Sequence, residues 1–243
     1  MTVTGSGAPA PAADESRLRH LVATAGAILY QQGLVDYLGH CSARVPGTDR
    51  VIIKPKFSTR TRALGSLKPE DLLVIDLDGV VLEGDQAPPA EWPIHTSLYR
   101  ARPDIAAIVH THQPAATLLG VMELPLVPVL HIPSVLTNGG DVGRWRCAQL
   151  VTTPDLGRSL AEALSQSPLC HLQGHGIVSV AGDIPTATLA AIAFEQLAEA
   201  NLRIRQAGST PRAISEEDLR ALRAAAGPVE GRWAYYEQLL GNG

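Results

Sequence analysis

Three histidines carry the clearest chemical signal in this sequence. His110 and His112 stand two apart at the end of the run IAAIVHTH. If that run is a strand, side chains two apart share a face, and the two imidazoles project in parallel within reach of one ion. The same spacing suits a hydrogen-bonded histidine pair at a strand end, and H-x-H alone does not choose between the two readings. His175 lies between Gly174 and Gly176, where two short apolar runs meet. Flanking glycines permit a tight turn and close backbone approach, which suits a ligand arriving from a neighbouring strand. Three imidazoles suffice for a catalytic ion, because such sites keep one coordination position for water or substrate. His171 competes with His175 or is a core residue; His95 and His131 are ambiguous, with His131 the better placed to line a pocket because it ends the run LVPVL. Glu91 sits in rigid apolar company between Pro-Pro-Ala and Trp-Pro. Enclosure there would raise its pKa and fit it for general acid or base work. The alternative is a helix-start glutamate interacting with the dipole ahead of Pro93.

The elements that must position these groups are legible in outline. Leu18, Leu21, Val22, Ala25, Ile28 and Leu29 repeat at three-and-four spacing, with Asp14 or Ser16 as a cap and Gly33 as a stop, which predicts an amphipathic helix laid over a sheet. Between Cys41 and Leu82 lie short β-branched runs, VIIKP and DLLVIDLDGVVL, and Asp78-Gly79 is a two-residue hairpin signal within an antiparallel region. IHTSLYRARPD reads as a helix ended by Pro103, IAAIVHTH as a buried strand, and the stretch from Gln113 as a helix with Pro114 in its first turn. LPLVPVLHI, LCHLQGHGIVSVAG and the Ala-rich stretch from Thr186 to Gln206 continue the alternation, and Ser215 with Asp218 opens a last helical region. Residues 1–14 read as a disordered tail and 15–243 as one domain, with no internal repeat. A hairpin region followed by alternation suggests an α/β layer fold with a mixed or largely antiparallel sheet.

Bulk composition narrows the partners. A formal net charge of -4 provides no basic field for nucleic acid or a membrane surface, so neither is expected. Cys41, Cys147 and Cys170 are odd in number and unpaired in spacing, and no leader or long apolar stretch is evident, so the expectation is a cytoplasmic protein.

Taken together, Glu91, then H-T-H at 110–112, then G-H-G around His175 resemble the class II aldolase/adducin family. The resemblance runs from about the first helix to the helix after Gly182. It implies a three-layer α/β/α fold with a central, mainly antiparallel sheet, and a homotetramer with active sites near subunit contacts. It also implies one divalent metal ion held by His110, His112 and His175, and a catalytic Glu91. Zn²⁺ or Mn²⁺ are the favoured ions, although a His₃ site also accepts Fe²⁺ or Co²⁺. The three stretches that hold phosphate in the sugar-phosphate members are altered. Here they read Leu38-Gly39-His40, Lys54-Pro55-Lys56-Phe57 and Pro89-Ala90. The hydroxyls and backbone nests that cradle a dianion are gone, so a phosphorylated sugar is not the expected substrate. What remains, His40, Lys54 and Lys56 with Arg60 or Arg62 near, suits a small-molecule carboxylate, unless these are simply solvated surface charges.

The segments GHCSARVPGTDRVIIKP and PPAEWPIHTSLYRARPDIAAIVHTHQP are most similar to the branch of metal-dependent decarboxylases of hydroxylated aromatic or pyridine dicarboxylates. That branch implies a carbon-carbon lyase, and the working hypothesis is that Glu91 donates a proton, directly or through water, while His40 and Lys54 or Lys56 orient a second acidic group; His131 is expected as a further substrate contact. The alternatives are an aldolase or epimerase acting on a non-phosphorylated hydroxy-carbonyl compound, and a non-catalytic, adducin-like interaction module. Trp233, Tyr235 and Tyr236 either reach a neighbouring subunit's pocket or pack a terminal helix, the second being the commoner arrangement.

Overall fold

The computed structural model describes residues 12–241. Most of the tail expected at residues 1–14 therefore lies outside the described residues, and Ala12 to Asp14 are already helical. Helix α1 (Ala12–Gln31) buries Val22, Ala25, Ile28 and Leu29 along one stripe. Because Asp14 and Ser16 sit inside its first turns, neither is the cap. The stop is as expected. Gly33 turns left-handed at φ +70, its amide donates to Tyr30 O and that of Leu34 to Leu29 O, each at 3.0 Å, closing carbonyls the helix end would leave open.

Strands β1 (His40–Arg44), β2 (Val51–Ile53), β3 (Leu73–Ile75) and β4 (Val81–Glu83) form an antiparallel meander. The β3–β4 hairpin is present, but its connection is five residues, 76–80, rather than two. Asp76 accepts the amides of Asp78 and Val80 on its side chain, and Gly79, at φ +81, lies against the Trp92 ring. Helix α2 (Trp92–Ala101) stops before Pro103, as its sequence demands, and β5 (Ala107–Thr111) follows as the buried strand bearing His110. Helix α3 (Pro114–Val121) is capped from another helix: the Glu195 carboxylate accepts the amides of Ala115 and Ala116 at 2.8 and 2.9 Å.

The run Leu124–Ile132 joins no strand. Pro125 and Pro128 cannot donate to a ladder, so the chain passes to a short helix, α4 (His131–Leu136), and the next strand is β6 (Val142–Trp145). Helix α5 (Pro154–Leu164), strands β7 (Leu169–Leu172) and β8 (Gly176–Ala181) and the long helix α6 (Ile184–Gln206) follow. Ser215 caps α7 (Glu216–Ala225) as expected, its hydroxyl oxygen accepting the Asp218 amide at 3.1 Å, and α8 (Val229–Leu240) ends the described chain.

The eight strands make one sheet in the order β4-β3-β2-β1-β5-β8-β7-β6, antiparallel except at β6–β7. Period-two alternation gives the sheet two apolar faces. Ile52, Val74, Ala107, Val109, Leu169 and Ile177 pack under α1, α3 and α6, with Trp233 of α8 joining the same cluster. Val51, Ile53, Leu73, Ile75, Ile108 and Val178 pack against Ile94 and Leu98 of α2 and Leu160 and Leu164 of α5. The architecture is the three-layer α/β/α arrangement with a mainly antiparallel sheet. Among the described residues, no helix is long and apolar enough to cross a membrane.

Candidate metal centre

The site forms where the ends of β5 and β8 meet. His110 is the penultimate residue of β5, and His112 follows just beyond the strand end, where its amide donates to Leu34 O at 3.2 Å. His175 closes the β7–β8 turn: Gly174 is left-handed at φ +62, and the His175 amide donates to Leu172 O at 3.1 Å. Gly176 then pairs so tightly with β5 that any Cβ would overlap the Thr111 carbonyl and lie 3.1 Å from His112 Cα. The two glycines thus do what their spacing suggested. One turns the chain, and the other lets the His175 strand close on the His110 strand.

The imidazoles of His110, His112 and His175 have ring centroids 4.8–4.9 Å apart. Together with the Glu91 carboxylate their ligating atoms all lie within 4.8 Å of one another. The donor set fits a divalent cation. His110 Nδ1 donates to Ile177 O at 2.9 Å, leaving Nε2 a bare electron pair, and that atom is 3.1 Å from His112 Nε2. Burial, followed by the neighbouring imidazoles, pushes the pKa values of His110 and His112 down and keeps them in the neutral form that binds metal. His175 Nδ1 is buried without a hydrogen-bond partner among the described residues.

Glu91 is the N-cap residue of α2, yet its side chain makes no capping bond. Oε1 accepts the Val151 amide at 2.8 Å, and Oε2 turns to the centre, 3.4 Å from His175 Nε2 and 3.9 Å from His110 Nε2. The helix-start alternative therefore describes where Glu91 sits and not what it does. The expected rise in its pKa is not found. Burial does push it up, but the hydrogen bond and charge of His175, the Val151 amide and His112 together outweigh burial and hold it below its ordinary value.

A cleft of about 390 Å³ opens above the centre. The three stretches singled out in the sequence converge on it: Leu38 and His40, then Lys54, Lys56 and Phe57, then Pro89 and Ala90. His40 pairs with His110 across β1 and β5, with ring centroids 4.9 Å apart. Lys54 is 5% exposed and donates from Nζ to Tyr37 O at 2.8 Å. Burial pulls its pKa down to about 8, against smaller opposing effects of Cys41 and Asp36. Lys56 is exposed at the mouth. Arg60 and Arg62 do not line the cleft; they pair on the surface with Asp85 and Asp71.

His131 is not brought to this site. It is exposed at the start of α4 and lines a separate pocket against α7, because the segment leading to it runs along the helical layer and not along a strand aimed at the centre. His171 faces the opposite side of the sheet, against Phe194 and Gly120, as a core residue. Trp233 is buried in the helical layer, Tyr236 half-buried and Tyr235 exposed. Sequence reasoning did not identify the exposed rim of Tyr37 and Leu150, or the Val151 amide that fixes Glu91. None has a local signature, since each matters only through what the fold places beside it.

Comparison with known proteins agrees with this geometry. The family described as Class II Aldolase and Adducin N-terminal domain matches residues 20–202. A 3,4-dihydroxyphthalate decarboxylase of Arthrobacter keyseri is 33% identical over 230 residues, covering 91% of this chain and 92% of that protein. A second protein so named, from Terrabacter sp. (strain DBF63), is 33% identical over 84% of this chain and 88% of its own length. Among solved structures, L-fuculose 1-phosphate aldolase from Glaciozyma antarctica PI12 superposes with a TM-score of 0.80 at 22% identity, covering 97% of this chain and 94% of that one. The chain belongs to the class II aldolase/adducin family.

Proposed function

We propose that this protein is a metal-dependent carbon-carbon lyase that removes CO₂, without oxidation, from a hydroxylated aromatic or heteroaromatic (di)carboxylate. The observation that carries the reading is the composition of one cleft. A three-histidine centre with Glu91 lies at its base, Lys54 and Lys56 on its wall, and Tyr37, Leu38, Phe57 and Leu150 at its rim. The base provides for charge, the lysines for a carboxylate, and the apolar rim for a flat ring. The positions that would cradle a sugar phosphate carry no hydroxyls. Relatives named for a dihydroxylated phthalate, similar over about nine-tenths of the chain, support the same chemistry.

A divalent ion on His110, His112 and His175, with Zn²⁺ or Mn²⁺ the best fit, supplies Lewis-acid polarisation of the substrate's oxygens when bound. The protein's own groups handle the proton. Glu91 begins as a carboxylate, so it takes the proton of the substrate's ring hydroxyl at Oε2 and returns it to the ring carbon that bears the leaving group. Forming that C–H bond uses electrons from the deprotonated oxygen. When the bond to the carboxylate carbon breaks, its electron pair returns to the ring, CO₂ departs and aromaticity is restored. The product oxygen then recovers a proton from solvent. Lys54, held against Tyr37 O, offers its remaining N–H groups to the substrate's second acidic group, and Lys56 guides it at the mouth.

The assembly that accompanies this reading is a cytoplasmic homotetramer with sites near subunit contacts, in which residues 15–243 act as one unit. The unpaired cysteines Cys41, Cys147 and Cys170 and the exposed apolar residues Leu118 and Val121 of α3, with Met122 just after it, support it. The decisive assay supplies metal-stripped protein with each candidate ion and a panel of ortho-hydroxylated aromatic dicarboxylates, and measures CO₂. Aldehyde release from a non-phosphorylated hydroxy-carbonyl compound with no CO₂ from any aromatic acid would replace this reading with the aldolase one.

A further inference from the structure

A file of buried polar groups runs from the sheet interior to the cleft. Tyr99 on α2 donates its hydroxyl proton to Ser42 O at 3.0 Å, and its oxygen is 2.8 Å from Ser42 Oγ. Ser42 Oγ is 2.6 Å from His95 Nδ1, and His95 Nε2 is 2.7 Å from His40 Nδ1. Tyr99, Ser42, His95 and His40 are all buried, so the links between them are shielded from bulk solvent. Each link in such a file shares one proton, and the file therefore has a direction.

The far end sets that direction. The Tyr99 hydroxyl faces two backbone carbonyls, Ser42 O at 3.0 Å and Ala106 O at 3.5 Å, which can only accept, and this directs its single proton to them and not to Ser42 Oγ. Tyr99 must then accept from Ser42, Ser42 must accept from His95 Nδ1–H, and His95 Nε2, left bare, must accept from His40 Nδ1–H. His40 is the last member and lines the cleft, so the atom it has left for a ligand is Nε2. His40 is buried, its ring faces those of His95 and His110, and among the described residues no carboxylate pairs with it to hold a positive charge.

We infer that Tyr99, Ser42 and His95 hold His40 as the tautomer with a bare Nε2, and that His40 thereby selects substrates presenting a second ring hydroxyl, beside the one whose proton Glu91 takes. This rests on the hydroxylated aromatic acid reading above and sharpens it. It also corrects the expectation that His40 helps the lysines hold a carboxylate. A bare nitrogen and a carboxylate are both electron-pair donors and repel, so the second acidic group belongs to the lysines and the second hydroxyl to His40. Tyr99, Ser42 and His95 are positioning residues, acting only through His40.

Two measurements on the Zn²⁺-loaded full chain test this. In protein labelled with ¹⁵N-histidine, the His40 resonances should show a proton on Nδ1 and none on Nε2. A proton on Nε2 overturns the inference, as does direct coordination of Nε2 to the ion. The second compares binding of 3,4-dihydroxybenzoate with that of its two monomethyl ethers, which needs no turnover and so stands even if no aromatic acid is decarboxylated. The wild type should bind the diol about three- to tenfold more tightly than one of the ethers, the span expected of one neutral hydrogen bond. Ser42→Ala should bring that ratio close to one, and Ser42→Thr, which keeps the hydroxyl, should preserve it. Because the added methyl is the same for every protein, a ratio unchanged in Ser42→Ala sinks the proposal.

Discussion

At the scale of single residues, the centre separates groups that the sequence shows as equals. Glu91 and the three histidines share one small volume, yet the backbone amide of Val151 holds one carboxylate oxygen away and leaves the other to act. Glu91→Gln should therefore lower turnover by about 10²- to 10⁴-fold, the usual range for a lost acid-base group, while metal content measured by atomic emission stays at the wild-type level. Loss of metal along with activity would make Glu91 a ligand instead. Lys54 yields a prediction in pH. Its pKa falls from 10.5 to about 8 through burial, with Asp36, Cys41, His40 and His112 the titratable groups around it. Above about pH 8 the cation is lost, so KM for a dicarboxylate should rise there, and Lys54→Met should have a high KM without that rise. The stability effect has the opposite sense to that of a lysine gaining a partner. Between about 8 and 10.5 the unfolded chain binds more protons than the folded one, so Lys54 adds stability as pH rises through that window, and its burial cost is fully present below it.

At the scale of elements, the centre exists because two strands approach more closely than side chains on both would allow. Gly176 abuts the Thr111 carbonyl, while Gly174 has open space around it and only its φ of +62 to satisfy. The two alanine substitutions should therefore differ in kind. Gly176→Ala must push β8 from β5 and spread His175 from His110 and His112, so bound metal per chain and activity should fall together. Gly174→Ala should lose about 1 kcal/mol in urea unfolding, the cost of a left-handed non-glycine residue, and retain its metal. Equal metal loss in both variants would show that the turn, and not the strand approach, builds the site.

For the whole molecule, an ion on His110, His112 and His175 would join segments far apart in the chain, the end of β5 and the β7–β8 turn. An ion that binds only the folded form stabilises it by about 2.7 kcal/mol at a hundredfold excess over Kd. For a chain of this length each kcal/mol is worth roughly 2–4 °C in Tm. Chelation should lower Tm by several degrees and abolish activity, and restoring Zn²⁺ or Mn²⁺ should recover both. An unchanged Tm with full activity after verified metal removal would exclude a resident ion.

What the sequence determined alone was set by short-range physics. Period-two runs made the sheet, three-and-four spacing and Gly33 made α1, and H-x-H with a glycine-flanked histidine picked out three imidazoles that the fold brings together, because each depends on neighbours within a few residues. Where distant segments had to meet, the sequence was silent or misleading. His131 looked like a residue of the active pocket and lines another one against α7, Glu91 looked set for a raised pKa and has a lowered one, and β6 was hidden behind a proline-rich run. Tertiary structure decided these matters because pKa, tautomer and cleft membership depend on distances between groups far apart in the chain. His95, unremarkable in the linear sequence, acquires its role only from Ser42 and His40 on the strand it packs against.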